Sequence, residues 1–507
     1  MSDSINIKRV AKNTAILYVR VLIVMLVSIY TSRVVLRILG VEDYGTYNVV
    51  AGAVALFGFL NTAMSMATQR FLNYELGRKN EEGLKAVFNM SLKIHLYISI
   101  ILFVLAESVG LWLIYTQLEI PPQRFSAAMY AYQLAIVSML INIITVPYTS
   151  AILAHEKMNI YAYICIIEAL LKLGLVFLLP MLSFDKLIIY SILMSSVQIL
   201  VFLSYYIYTK LNLKECNFSF SMWDKNLFKQ MSGFIGWNIC GQIAQMLSVH
   251  GVNMLMNVFY GVVVNAAMSI TNQVNGAIVM FVNNFQTSFR PQIMKSYAAE
   301  EYNEVNRFAY IFSKYSFFLL YILSVPILFN IDIILDIWLE TPPEHTAAFC
   351  KLVFWYSYLE ALGMPLVMAI MASGKNKYYQ IFFSITLSLN IIISYIFLKL
   401  GYPPEIVFII KVFISLFIIA VRIYFAKKQS FISPKDFITK SLVPSCIVLI
   451  TTLPIYYLLR IPYGTSIATN ILLTIALETI ILLVIYFIGI NKQERIFLLG
   501  LIKRKVK

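Results

Sequence analysis

The chain has 507 residues, of which 60% are hydrophobic and only 13% charged, and it carries a formal net charge of +15. With a mean hydropathy of +0.78, this composition excludes a soluble enzyme or binding module. Apolar runs long enough to cross about 30 Å of hydrocarbon recur from end to end, which defines an all-α polytopic membrane protein.

Fourteen spans are predicted, near residues 14–38, 46–67, 91–115, 126–153, 159–180, 187–209, 231–257, 262–287, 308–329, 347–372, 378–398, 405–425, 437–459 and 465–489. The first is expected to stay in the protein, because it is too long for a signal peptide and lacks a small-residue cleavage site. With a cytoplasmic amino terminus, alternate turns hold about 27 Lys and Arg on the inner side. The outer turns hold four, Arg124, Lys186, Lys399 and Arg460. Acids gather outside instead, at Glu42, Asp43, Glu119, Asp185, Asp332, Asp336, Glu340, Glu344 and Glu405. The expected topology therefore has both termini inside. The positive charge sets orientation and does not point to nucleic acid as a partner.

Residues 210–230 interrupt the spans with four lysines, Trp223 and Phe228, the composition of an amphipathic linker at the inner interface. Features on either side of it repeat at an offset of about 220 residues. Span 1 leads to Gly40, span 2 to Arg70, and Glu81 and Glu82 follow. Span 7 leads to Gly261, span 8 to Arg290, and Glu300 and Glu301 follow. The predicted organisation is a six-helix lobe at 1–210, a linker at 211–230, a second six-helix lobe at 231–428, and accessory spans 13 and 14 with a basic tail at 429–507.

Spans 7 and 8 carry too many amides for a lipid-facing wall. At 100° per residue, Asn238, Gln242, Gln245 and Asn253 fall within one arc of roughly 80°. Asn265, Ser269, Asn272, Gly276 and Asn283 form a similar stripe. Polar side chains at membrane depth pair or line water. A wet cavity is therefore expected, with dry amide packing as the alternative.

Among charges inside spans, Arg37, Lys93, Lys314, Lys351 and Arg422 lie near predicted ends and are expected to snorkel to headgroups. Glu168 and Lys172 are spaced to neutralise each other. Arg20, Arg33 and Lys411 remain as cavity candidates. Five scattered cysteines and four isolated histidines form neither a disulfide framework nor a metal site. No phosphate-binding glycine loop ends in Lys-Ser or Lys-Thr. Catalytic residues, cofactors and metals are not expected.

The stretch Thr31–Gly77, with LGVEDYGTYNV at its outer turn and ATQRF at the inner end of span 2, resembles bacterial polysaccharide-biosynthesis flippases of the Wzx type. These belong to the multidrug/oligosaccharidyl-lipid/polysaccharide (MOP) exporter superfamily. SGFIGWN, NNFQTSFRPQI and ILDIWLE in the second half add to the resemblance. It implies two pseudosymmetric six-helix bundles around a central cavity, with two accessory helices, in the bacterial cytoplasmic (inner) membrane. The implied cargo is an undecaprenyl-diphosphate-linked oligosaccharide, moved from the cytoplasmic to the periplasmic leaflet for surface polysaccharide assembly such as O-antigen. A polysaccharide polymerase of the same pathway is an implied partner. Arginines suit such a diphosphate because the guanidinium pairs with phosphate oxygens in a planar fork. The alternatives are a cation-coupled small-molecule exporter of the same fold, which would want a carboxylate in the first lobe, and a membrane-embedded polymerase or ligase, for which the outer loops are short.

Overall fold

The computed structural model describes residues 2–55, 58–116, 121–181, 183–219, 223–339, 341–459, 467–492 and 494–495. Glu119, Glu340, Arg460 and the basic residues of 503–507 lie outside them. Among the described residues there are sixteen α-helices and no strand. Helices are what hydrocarbon permits, since each backbone N–H and C=O is satisfied within its own segment. Backbone contacts divide the chain into two compact units, residues 1–242 and 243–507.

The first unit holds α1 (Ser2–Ala55), α2 (Gly58–Gly77), α3 (Glu81–Leu105), α4 (Leu111–Thr116), α5 (Phe125–Ala154), α6 (Met158–Leu178) and α7 (Lys186–Asn212). Helix α8 (Lys225–Ala298) begins there and ends in the second unit. That unit continues with α9 (Tyr302–Phe329), α10 (Ile331–Leu339), α11 (Thr346–Ala372), α12 (Lys377–Lys399), α13 (Ile406–Ser430), α14 (Pro434–Phe437), α15 (Val443–Leu459) and α16 (Ile467–Val484).

Local chemistry sets the ends and breaks. Asn80 caps α3 by accepting from Gly83 N at 3.0 Å, with Glu81 and Glu82 in the first turn against the helix dipole. Between α3 and α4 the chain makes a π turn over Ala106–Gly110. Its Ala106 carbonyl accepts from the Tyr132 hydroxyl at 2.7 Å. A side chain at Gly110 would collide with that same hydroxyl, so this break needs a glycine.

Among the described residues, eleven helices are long and apolar enough to span a membrane. The spans 2, 7 and 8 expected from sequence are helical over their described residues but are not among them, and 7 and 8 are the amide-rich pair. Large apolar side chains stand open on the surface, Leu26, Ile100, Phe413 and Leu458 among them. A water-soluble chain would bury such groups; lipid covers them without cost.

The internal repeat is visible in the backbone. Gly40 (φ 79°, ψ 170°) interrupts α1, and Gly261 (φ 75°, ψ −167°) interrupts α8 in the same conformation. Lys79 and Glu300 both close a helix in the left-handed region, as do Glu156 and Gly374. The three pairs lie 218 to 221 positions apart. Each unit thus repeats the same corners in the same order.

Candidate functional site

Helix α1 carries Arg20, Arg33 and Arg37 between Lys12 and Gly40, with no Asp or Glu in that stretch. Arg20 is half-buried and folds onto α6. Its guanidinium lies 5.0 Å from the Tyr161 ring centroid, and Nη1 is 3.6 Å from Cys165 Sγ. Arg33 is exposed, as is Arg37 one turn further on. The structure therefore packs one predicted arginine against the wall of the first unit and leaves the other open.

The amides of α8 are graded in the same way. Asn238 is buried, Gln242 and Gln245 are half-buried, and Gln245 reaches the Tyr356 hydroxyl of α11. The Oδ1 atoms of Asn253 and Asn265 are buried with no hydrogen-bond partner among the described residues. Beyond Gly261, Ala267, Met268, Thr271, Ile278 and Val282 are buried. Ser269, Gln273, Gly276 and Asn283 on the other side are exposed, and Asn272 is half-buried. The polar side of this arm is open, and Val263 and Met280 are open with it. Asn275, half-buried on the packed side, accepts from Ser357 Oγ at 2.7 Å.

Lys411 of α13 stands apart from these amides except through Tyr356, whose ring centroid is 3.9 Å from its ammonium. One turn along α11, Glu360 accepts from Arg422 Nη2 at 2.9 Å, and Arg422 Nε donates to Tyr379 at 3.3 Å. Arg422 is 2% exposed, which corrects the expectation that it snorkels. Helix α13 runs on to Ser430, so Arg422 lies two turns inside it. Lys314 is corrected likewise, because it is buried in an ion pair with Glu494 at 2.7 Å. Sequence reasoning missed this cluster because a short helix boundary disguised Arg422 as an end residue. Glu168 and Lys172 pair at 2.6 Å, as their spacing predicts.

The segments that carry the family resemblance hold the first unit together. Arg70 of ATQRF lies over Phe71 at 4.4 Å, Tyr74 at 4.9 Å and Phe234 at 5.9 Å. Asp43 of LGVEDYGTYNV accepts from Arg124 Nε at 2.6 Å and Nη2 at 2.7 Å. The same guanidinium donates to Asp185 at 2.5 and 3.0 Å. Asp185 also caps α7 by accepting from Leu187 N and Ile188 N, and the Arg124 hydrogen bonds hold its carboxyl below the usual range. The clamp explains why an arginine is tolerated among the acidic turns.

Comparison with known proteins places this architecture. Residues 17–178 match the family described as MatE. The fold is that of MATE transporters. A MATE structure in the straight conformation aligns with a TM-score of 0.68 at 11% identity, over 84% of this chain and 94% of that one. An outward-facing multidrug resistance MATE family transporter of the MOP superfamily aligns at 0.66 and 10% identity, over 84% and 94%. A mutant of the Vibrio cholerae MATE transporter VcmN aligns at 0.64 and 15% identity, over 84% and 98%. No curated protein sequence matches this chain. The chain is thus a multi-pass membrane protein with a transporter fold.

Proposed function

We propose that the protein is an exporter that carries an amphiphilic cargo through a hydrated passage opened alternately to the two sides of the membrane. The open polar stripe of α8 carries this reading: Ser269, Gln273 and Asn283, in a segment expected to cross the membrane, are exposed while Ala267, Met268, Ile278 and Val282 across the helix are buried. Such groups are costly against lipid and belong in water. The likeness to MATE transporters supports a cation-coupled small-molecule exporter of the multidrug type. The first lobe offers that reading a carboxylate, Glu107, in the π turn after α3. Its Oε2 accepts from Gln133 at 3.3 Å, and its Oε1 is buried without a hydrogen-bond partner among the described residues.

A second reading is favoured by the charge of α1. Arg33 and Arg37 are exposed one turn apart with no acid in the span, an arrangement that suits an anionic headgroup such as the diphosphate of an undecaprenyl-linked oligosaccharide. One preparation separates the two. In proteoliposomes, a small-molecule exporter drives a cationic dye against its gradient when a proton or sodium gradient is imposed, and Glu107→Gln stops it. A flippase ignores the dye and exposes a short-chain lipid-linked oligosaccharide to an impermeant lectin, and Arg33→Ala stops it. Failure of both assays in protein that retains its fold would sink the exporter reading.

A further inference from the structure

The first lobe ends in a cavity of about 450 Å³ that neither transport reading uses. Three corners of the chain build it: the α2–α3 turn and the start of α3 give Lys79 and Lys85, the α5–α6 turn gives His155 and Lys157, and the segment after α7 gives Lys214. Glu81 and Glu215 stand against these lysines, and Glu215 is engaged by His155 Nε2 at 2.5 Å. Lys157 is steadied over the Tyr208 ring at 5.4 Å. The lining is therefore positive, with four lysines against two glutamates.

Basic turns are common at one end of membrane proteins, so basicity alone decides little. The internal repeat supplies a comparison. At the α8–α9 turn of the second lobe, the equivalent of the α2–α3 turn, Glu300 stands at the position of Lys79 and Asn306 at that of Lys85, with Glu301 and Glu304 alongside. At this corner the second lobe has acids and an amide where the first has Lys79 and Lys85, whereas Lys157 of the α5–α6 turn has a counterpart in Lys375. The contribution of Lys79 and Lys85 is therefore specific to the first lobe and does not come with the architecture.

A second observation gives the ligand a tail. Leu200, Leu203, Ile207 and Leu211 lie on one strip of α7 and are 47%, 40%, 52% and 78% exposed. The strip runs along the last turns of α7 to Asn212, where the cavity begins. A positive pocket at the head of an exposed apolar strip has the two chemistries of a phospholipid. We propose that this cavity binds the phosphate headgroup of an anionic phospholipid, with its acyl chains laid along α7. Interfacial lysines attract anionic lipid by about fivefold in affinity each. The proposal concerns a bound lipid and holds whichever cargo the protein exports.

The test uses the full-length protein in phosphatidylcholine micelles at low salt, titrated with short-chain phosphatidylglycerol and followed by native mass spectrometry. Phosphatidylglycerol is expected to bind, and the Lys85→Gln/Lys214→Gln pair to weaken it about 25-fold. The Lys85→Arg/Lys214→Arg pair should retain it. A Lys427→Gln/Lys428→Gln pair, at basic residues of the second lobe, should leave it unchanged. Unfolding midpoints in phosphatidylcholine establish that each variant is folded. Equal binding of phosphatidylcholine, an equal loss in the second-lobe pair, or inorganic phosphate binding as tightly as the lipid would each overturn the assignment.

Discussion

The Arg422 guanidinium is packed so closely on Gly363 that a methyl group built on that glycine would stand 2.3 Å from Nη1 and 3.1 Å from Cδ. The arginine has little freedom to retreat, because Nη2 is held by Glu360 and Nε by Tyr379. Gly363→Ala is therefore expected to cost about 2–4 kcal/mol, by overpacking and by loosening a buried charge from its partner. Gly174→Ala is the internal control, since nothing lies within 4 Å of its Cβ position. There the gain in helix propensity should leave stability unchanged or raise it by up to about 1 kcal/mol. Thermal unfolding of both variants in one detergent measures the difference, and equal midpoints would refute the clash.

Gly40 and Gly261 make a different demand. Nothing lies within 4 Å of either Cβ position, so space is not the constraint. Their φ near +77° with ψ near 180° is a region that glycine alone occupies at no cost, and alanine there is strained by about 1–3 kcal/mol. Because the two corners are repeats of one another, Gly40→Ala and Gly261→Ala should lower stability by similar amounts. A neutral result at one corner would show that the chain can close that turn another way.

These two corners also mark how far the sequence could be read. Class, helices and repeat were legible because hydrocarbon enforces long apolar runs, and because the features around Gly40 and Gly261 recur in order. Partners at long range were not. Nothing near Arg124 in the chain announces that Asp43, 81 positions before it, and Asp185, 61 after, will share its guanidinium. Arg422 reads as an end residue in the sequence because the apolar run stops at Ala426, while the helix continues through Lys427 and Lys428 to Ser430. The amides of α8 were found from periodicity, but which of them are open depends on packing by α9 and α11. Helical angle alone does not report that.

The Arg124 clamp yields a graded series. Arg124→Ala removes charge-assisted hydrogen bonds to two carboxylates that are themselves partly buried, at a cost of about 1–3 kcal/mol. Arg124→Lys should recover only part, since an ammonium cannot fork to both acids. Asp185→Asn keeps the cap on α7 and loses the ion pair, while Asp185→Ala loses the cap as well, at about 1 kcal/mol more. Because the folded-state pKa of Asp185 is lowered, its stabilisation is complete above the unfolded carboxylate pKa and fades as pH falls below about 4. Wild type should therefore lose more stability than Asp185→Asn between pH 5 and pH 3, and parallel losses would remove Asp185 from the clamp.

The stripe on α8 gives the most direct check on the transport reading. If Asn272, Gln273 and Asn283 face water at membrane depth, a thiol placed there ionises and meets a polar reagent. A thiol on a lipid-covered surface does neither, since the thiolate is the reactive form and hydrocarbon suppresses it. The background protein needs Cys165, Cys216, Cys240, Cys350 and Cys446 replaced, because Cys240 and Cys446 are themselves exposed. In that background, Asn272→Cys, Gln273→Cys and Asn283→Cys should react with a charged, membrane-impermeant thiol reagent. The rate should exceed that of Leu472→Cys on α16, a position 68% exposed yet apolar in its surroundings, by on the order of tenfold or more. Ile278→Cys and Val282→Cys, on the buried side of the same helix, should be protected. If the stripe positions react no faster than Leu472→Cys, the amides face lipid or a dry interface, and the hydrated passage loses the observation that carries it.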